Sequence, residues 1–280
     1  MNRLLRANFS RLWKSKIFWI EMMVMLVYAI VFLLNGSRQA AVMPEYNYTL
    51  DNYYFHFALS IGVFCLLFTS LFTGTEYSDG TLRNKLVVGH TRTNIYLANL
   101  LTNFSATFMI VGAWIMGAMV GVPTLGFLKM GYKQQMFYLA IIILLAAVFS
   151  AIFTFIAMLS SNKTMTVVIA AILFLGLLIC SLKLYSALVQ PEMVSGVSVN
   201  VDEMYVTEMY MTEPAPNPKY VGGTLRKVYE FILDVSPCGQ SFRVALLEVV
   251  RPVRMLISSA IITVIVTFGG IVLFKRKDIK

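Results

Sequence analysis

The side chains that could carry covalent chemistry in this 280-residue sequence are few, and they lie far apart. Three cysteines stand at positions 65, 180 and 238, and two histidines stand at positions 56 and 90. Their spacing fits neither a disulfide framework nor a zinc site. The sequence has no G-x-x-x-x-G-K-[ST], H-E-x-x-H or G-x-S-x-G motif. We therefore expect no enzyme, no catalytic residue, no metal site and no cofactor held by this chain.

The composition is that of a membrane protein. Hydrophobic residues make up 58% and charged residues 13%, against roughly 45–50% and 25% in soluble domains. The apolar residues come in blocks long enough to cross a bilayer core of about 30 Å. We predict an all-α polytopic protein, a single domain over 1–280, with an N-terminal interfacial helix over 1–15. The six predicted spans are 17–34, 53–73, 97–121, 136–159, 165–184 and 255–274.

The distribution of lysine and arginine predicts the orientation. With a cytoplasmic N-terminus, the inside segments hold thirteen of the 23 basic residues, as the positive-inside rule requires. Both termini are then cytoplasmic, and a large segment, 185–252, lies outside between spans five and six. The net charge of +9 follows from this topology and from contact with anionic lipid, so it requires no nucleic-acid partner.

Charged residues are nearly absent from the predicted spans, which disfavours a proton-coupled transporter because carboxylates line the ion path in such proteins. Glu21 is the exception. It lies about one turn inside the first span, so we expect an interfacial carboxylate paired with a nearby arginine or lysine.

The loop between spans two and three, 74–96, has the most distinctive pattern. Thr81–Val88 can form a short helix with Leu82 and Leu86 on one face, and Gly89 can end it in a left-handed conformation. Glu76 precedes its first turn, where a carboxylate favours the helix dipole. So short a helix needs a docking surface. On periodicity alone, an ordinary amphipathic connector is the simpler interpretation.

The residues of this loop carry a family resemblance. The run Glu76-Tyr77-Ser78-Asp79-Gly80-Thr81-Leu82-Arg83, followed by a glycine and by Thr91-Arg92, resembles the signature loop of ATP-binding-cassette (ABC) permeases of the type-2 exporter class. That pattern is E-[YF]-x-x-G-T-[LIW]-[RK]. The six spans and the basic C-terminal residues are also similar to this class. Within it, the chain looks most similar to permeases that accompany bacitracin- and lantibiotic-resistance ATPases.

The resemblance implies a division of labour between chains in a bacterial cytoplasmic membrane. Two copies of a separate ATPase would bind ATP and Mg, and a second permease subunit, same or different, would complete the cavity that alternating access needs. The loop would transmit ATPase motion, with Glu76 and Arg83 as charge partners that hold it, Gly80 allowing close helix packing, and the two leucines facing an ATPase groove. The implied coupling residues are Glu76, Tyr77, Gly80, Thr81, Leu82, Arg83, Leu86 and Arg92.

The outer segment contains a short repeat, because Glu203-Met204-Tyr205-Val206-Thr207 is nearly repeated at 208–212. A five-residue period suits neither a helix nor a strand for long, so a solvated loop is the simpler interpretation. The alternative is an acidic, aromatic lid over the exit. Its residues would be Glu203, Tyr205, Glu208 and Tyr210. Farther on, we predict short helices at 224–235 and 243–250.

These observations favour the permease subunit of an ATP-driven exporter that moves an amphipathic or peptide-like compound. The alternative, from another class, is a membrane immunity protein that sequesters a toxic peptide without an ATPase. An ion channel is disfavoured because no span has a filter-like glycine run or a ring of charges. Co-purification of an ATPase would distinguish the first two.

Overall fold

The computed structural model describes residues 1–160, 162–195, 197–202, 205–211 and 213–278. Six of its helical segments are long and apolar enough to cross a membrane, and we number them spans 1 to 6. Their bounds are Lys16–Val42, Asp51–Ser78, Arg92–Leu125, Tyr132–Leu159, Lys163–Leu188 and Pro252–Arg276. The predicted all-α polytopic architecture with six spans is therefore confirmed. The helices extend about two turns at most beyond the predicted apolar blocks. The prediction counted only the apolar residues that cross the hydrocarbon core, whereas the helices continue through polar residues at their ends.

Two spans form the centre of the bundle. Spans 2 and 4 are mostly buried and pack against each other, and span 3 packs on both. Gly62 of span 2 allows Phe149 and Phe174 of spans 4 and 5 to approach, since a side chain there would collide with both rings. Spans 1, 5 and 6 lie at the periphery and expose long apolar faces, as expected of helices that face lipid or another chain.

Both ends of the described chain lie at the same end of the bundle, which we call the terminal end. Leu4 near the N-terminus, Leu82 of the loop and Phe274 of span 6 belong to one hydrophobic cluster there. The described residues of the segment 185–251 lie at the opposite end, where the helix Pro237–Ala245 contacts the start of span 2.

The N-terminal helix, Asn2–Lys14, forms as predicted but uses its faces differently. Leu4, Asn8 and Leu12 recur every four residues and are buried against this chain, chiefly span 3. An interfacial helix is expected to turn such leucines to lipid, and this expectation is wrong for Leu4 and Leu12. The bundle itself provides the apolar surface that the helix requires, while Trp13 remains half exposed.

Two helices follow span 5 in the opposite-end segment. The surface helix, Gly223–Val235, lies where predicted. The second helix is Pro237–Ala245, not 243–250. Proline suits the first turn of a helix, and Leu247 has a positive φ of 61°, which ends the helical path. We call it the inserted helix because it is buried among spans 2, 4 and 5.

The described residues of the acidic repeat, 205–211, lie in a β-hairpin. Strand Val197–Asp202 pairs antiparallel with Tyr205–Met211, with Asn200 opposite Glu208 and Asp202 opposite Tyr205. A second two-residue pair, Met193–Val194 with Ala215–Pro216, closes its base. The strand runs from the first copy of the repeat into the second, so the prediction that the repeat suits no strand is wrong for residues 205–211. The pairing of the two strands shifts by one residue after Asn200, because Asn200 lies opposite Glu208 and Val201 opposite Val206. Such a bulge accommodates the odd number of residues in the repeat.

Candidate functional site: the Glu76 network

Glu76 lies within the last turn of span 2 and not at the N-terminus of the loop helix. The span continues to Ser78, and Gly80 then turns the chain with a φ of 65° into the loop helix, Thr81–Val87. The predicted favourable placement of Glu76 at the loop helix dipole is therefore wrong. The role predicted for Gly80 is also corrected. A side chain there would meet no atom within 4 Å, so the glycine provides a left-handed turn and not close packing.

Three elements bring polar groups to the fully buried Glu76 carboxylate. Its Oε1 lies 2.7 Å from Arg11 Nη1 of the N-terminal helix and 2.6 Å from Lys85 Nζ of the loop helix. Its Oε2 accepts a 2.8 Å hydrogen bond from Asn99 Nδ2 of span 3. Asn8 completes the network, donating to Asn99 Oδ1 at 2.7 Å and accepting from Lys85 at 3.0 Å. We call these five residues the Glu76 network.

Two cations and one amide donor surround the buried Glu76 carboxylate. Burial lowers the pKa of Lys85 below its ordinary value, and the charge attraction and hydrogen bond of Glu76 only partly oppose this. The Arg11 guanidinium also lies 3.9 Å above the Phe72 ring. A buried carboxylate with two cations and an amide donor is satisfied, whereas a cation left alone there would be costly. The network therefore fixes the N-terminal helix and the loop helix to the ends of spans 2 and 3.

The loop helix has a buried face and an exposed face. Leu82 is only 1% exposed and packs in the terminal-end cluster, against which Leu86 is partly buried. The prediction that Leu82 faces an ATPase groove is therefore wrong, because this chain already covers it. Arg83 is exposed and does not pair with Glu76, contrary to expectation. The exposed apolar side chains are Val87 and Val88, at 78% and 76%.

Three remaining loop residues bind backbone of other segments. The Tyr77 hydroxyl donates to the carbonyl of Met158 in span 4. Arg92 donates to the carbonyls of Phe274 and Lys277 at the end of span 6. The Thr81 hydroxyl donates to the Glu76 carbonyl at 3.2 Å. The loop is thus connected to spans 2, 4 and 6 as well as to the N-terminal helix.

Lys277 reinforces the terminal end from the C-terminal side. Its Nζ donates to the carbonyls of Met158 and Ser160, at 3.3 and 2.7 Å, and lies 4.0 Å from the centre of the Tyr77 ring. Desolvation lowers the pKa of Lys277 to about 8. Sequence reasoning missed this residue because no motif marks it.

A ladder of polar side chains continues from Glu76 into the bundle. One turn above Asn99, Asn103 donates to Thr73 Oγ1 at 3.0 Å and to Thr154 Oγ1 at 2.9 Å. Farther along, the thiol of Cys65 lies 3.5 Å from the Ser150 hydroxyl. Sequence reasoning missed this ladder too. Its signal was the four-residue spacing of amides and hydroxyls in spans 2, 3 and 4, which places them on one face of each helix.

Glu21 differs from its prediction. Its side chain is buried in span 1, and its Oε2 has no hydrogen-bond partner. It forms no ion pair within the described residues, so the expected interfacial pairing is wrong. Glu21 lies on the inward-facing stripe of span 1 that also carries Phe18 and Met25, and this stripe faces the bundle.

The predicted lid residues stand apart from the Glu76 network. Tyr205, Glu208 and Tyr210 belong to the hairpin at the opposite end, whereas Glu203 lies outside the described residues. No group of three or more histidine, cysteine or acidic side chains suited to a metal ion occurs among the residues that the structure describes.

The comparisons with known proteins agree with this architecture. No curated protein matches the chain. A family model described as "ABC-2 family transporter protein" matches residues 4–177, from the N-terminal helix into span 5. This range contains the whole Glu76 network and more than half of the chain. The protein therefore belongs to the ABC-2 transporter family, as a multi-pass membrane protein.

Proposed function

We propose that this chain is the permease subunit of a bacterial ATP-driven exporter for an amphipathic or peptide-like compound, with antibiotics and bacteriocins as the candidate class. Both termini and the loop helix lie in the cytoplasm. A separate ABC ATPase, in two copies, binds ATP and Mg, and a second permease subunit, same or different, completes the pathway. The exposed apolar faces of the peripheral spans support this, because they offer surface for a second chain as well as for lipid.

The observation that carries the proposal is the two-faced loop helix. Its inner face is joined to the N-terminal helix and to spans 2 and 3 through Leu82 and Lys85. Its outer face presents Arg83, Val87 and Val88 to the surroundings. A force applied to the outer face would therefore reach several spans at once. We place the ATPase contact on this face, in revision of the prediction that placed it on Leu82 and Leu86.

The substrate side of the proposal concerns the hairpin at the opposite end. Asp202, Glu203, Glu208 and Glu213 give it a local excess of negative charge, which would attract a cationic peptide. In this proposal, Tyr205 and Tyr210 would add adaptable contacts as a lid over the exit. Transport of a cationic peptide should then fall when the four acids become amides, whereas a neutral analogue should be unaffected.

The ATPase contact can be tested with a matched pair of variants. The tagged chain is purified in mild detergent from its native membranes, and the co-purifying proteins are identified and assayed for vanadate-sensitive ATP hydrolysis. We expect an ABC ATPase with the parent chain. Val87→Asp with Val88→Asp should reduce its recovery at least tenfold, because charge would enter an apolar contact. Val42→Asp is the control, with 75% exposure at the opposite end of the bundle.

The outcomes separate the two function classes. Loss of the ATPase in the double variant alone, with unchanged gel-filtration behaviour, supports the exporter. Absence of any ATPase with the parent chain, combined with tight binding of a toxic peptide, would favour the immunity protein. Full recovery of the ATPase with the double variant would mean that the ATPase contacts another surface of this chain and not the loop helix.

A further inference from the structure

A groove opens at the opposite end between the surface helix and span 6. Its volume is about 560 Å³. Apart from Arg254 and Ser258, its lining is apolar, and the Ser258 hydroxyl is occupied by hydrogen bonds to the backbone. The residues that define it are Phe231 and Val235 of the surface helix and Val253, Arg254, Ile257 and Ile261 of span 6.

The mouth of the groove has an excess of arginine. Four arginines share the two carboxylates of Glu230 and Asp234. Arg254 lines the groove, and Arg251, three residues earlier in the chain, binds the same oxygen of Asp234; their side chains are 39% and 41% exposed. Each uses only Nη1 on a carboxylate within the described residues, although a guanidinium carries five N–H donors. Donors and positive charge therefore remain for an anion.

Two contacts hold Arg254 at this place. Its Nη1 lies 3.3 Å from Asp234 Oδ2, and its guanidinium lies 5.6 Å from the centre of the Phe231 ring, which is part of the groove wall. From Arg254 the groove follows span 6 to Ile262, a distance of about 12 Å at the helical rise of 1.5 Å per residue. A cationic mouth thus stands at the first turn of a span, above an apolar trough that runs into the membrane.

We propose that this groove binds an anionic phospholipid of the surrounding bilayer, with its phosphate on Arg251 and Arg254 and one acyl chain along Ile257 and Ile261. Guanidinium groups bind phosphate oxygens through paired hydrogen bonds, and basic pockets beside spans bind anionic headgroups. A zwitterionic lipid would offer the same chain but would place a cationic group beside the arginines. The proposal does not depend on the ATPase or on the exported compound.

The test is native mass spectrometry of the full chain, released from detergent after titration with phosphatidylglycerol or phosphatidylcholine of identical acyl chains. We expect the parent to retain phosphatidylglycerol at least fivefold more than phosphatidylcholine. Arg254→Gln should remove most of this preference, and the fold should survive because Asp234 keeps Arg243 and Arg251. Ile257→Trp should reduce retention by filling the trough without changing any charge. Arg276→Gln, at the other end of the same span, should change nothing.

Three results would overturn the proposal. One is equal retention of the two lipids by the parent, and another is a phosphatidylglycerol preference that survives both groove variants. The third concerns a second copy of the chain as the occupant. Ile257→Cys in a Cys180→Ser background, which removes the exposed native thiol, would then form a disulfide-linked dimer when membranes are treated with a thiol oxidant that accepts the two electrons. If this variant stays monomeric after the same oxidant treatment, and the parent keeps its preference for phosphatidylglycerol, the lipid is supported as the occupant of the groove.

Discussion

Glu76 at the terminal end and Asp234 at the opposite end are both buried carboxylates, with side chains 0% and 1% exposed. Asp234 collects Arg243, Arg251 and Arg254 from within twenty residues of chain. Glu76 instead binds Arg11, 65 residues earlier, and Asn99, 23 residues later. The difference shows that Asp234 organises one local unit around the surface and inserted helices, whereas Glu76 joins elements from separate parts of the sequence.

The cations also differ in their access to water. Lys85 is 16% exposed and Arg11 33%, while Arg251 and Arg254 are about two-fifths exposed. Around Asp234, burial raises the carboxyl pKa and the three arginines lower it, and the net direction is upward. Two of those arginines can turn toward solvent or headgroups if the carboxylate is lost, whereas Lys85 has less freedom to do so.

The largest expected effect is therefore at Glu76. Glu76→Ala should lower the free energy of unfolding by about 3–5 kcal/mol, the cost of leaving buried cations unpaired. Thermal unfolding in detergent measures this, and exposed Asp79→Ala is the control. If Glu76→Ala lowers the free energy of unfolding only slightly, water replaces the carboxylate in the network. The terminal end would then be less rigid than its contacts indicate.

The effect at Asp234 should be smaller. Asp234→Ala should cost about 1–3 kcal/mol, the range for unsatisfied buried polar groups, because only Arg243 among its cations is nearly buried. The same unfolding assay, combined with proteolysis of the surface helix, measures whether the loss is local. A cost equal to that of Glu76→Ala would contradict the distinction between a local and a bundle-wide network.

The smallest effect is a pH dependence at Lys277. Its pKa is about 8 in the folded protein, against its ordinary value of 10.5. Between these values the unfolded chain binds more protons, so the penalty for burying this amine is full below pH 8 and is relieved as pH rises. From pH 7.5 to 9.5, the parent should gain about 1–2 °C in Tm over Lys277→Met. The exposed Lys275→Met should show no such change, and an identical pH profile for both variants would contradict the prediction.

Sequence reasoning located the six spans and singled out the loop that follows Glu76, because apolar block length and a dense motif are local properties. It could not assign the partners of Glu76. Arg11 lies on another helix 65 residues away, and no single-sequence pattern specifies which basic residue reaches a given carboxylate. The error at Leu82 has the same origin, since helical periodicity indicates an apolar face but not whether this chain or another covers it.

The inserted helix and Asp234 were less accessible to prediction. Gln240 is buried and donates hydrogen bonds to the carbonyls of Asp234 and Met255. The inserted helix is therefore buried although its sequence is polar and contains a proline and a glycine. Gly239 packs directly against the backbone of Leu233. Such stretches look like loops in sequence because their polar groups are satisfied only by tertiary contacts.

The contacts of Arg92 also impose an order on biosynthesis. The Glu76 network uses residues 8–99 alone, so it can form once span 3 has been inserted. Arg92 must wait for the carbonyl of Phe274, 182 residues later, an interval of roughly 10–40 s at ordinary translation rates. The loop helix is therefore held first by the Glu76 carboxylate of span 2, through Lys85, and only afterwards by span 6, whose arrival completes the terminal end.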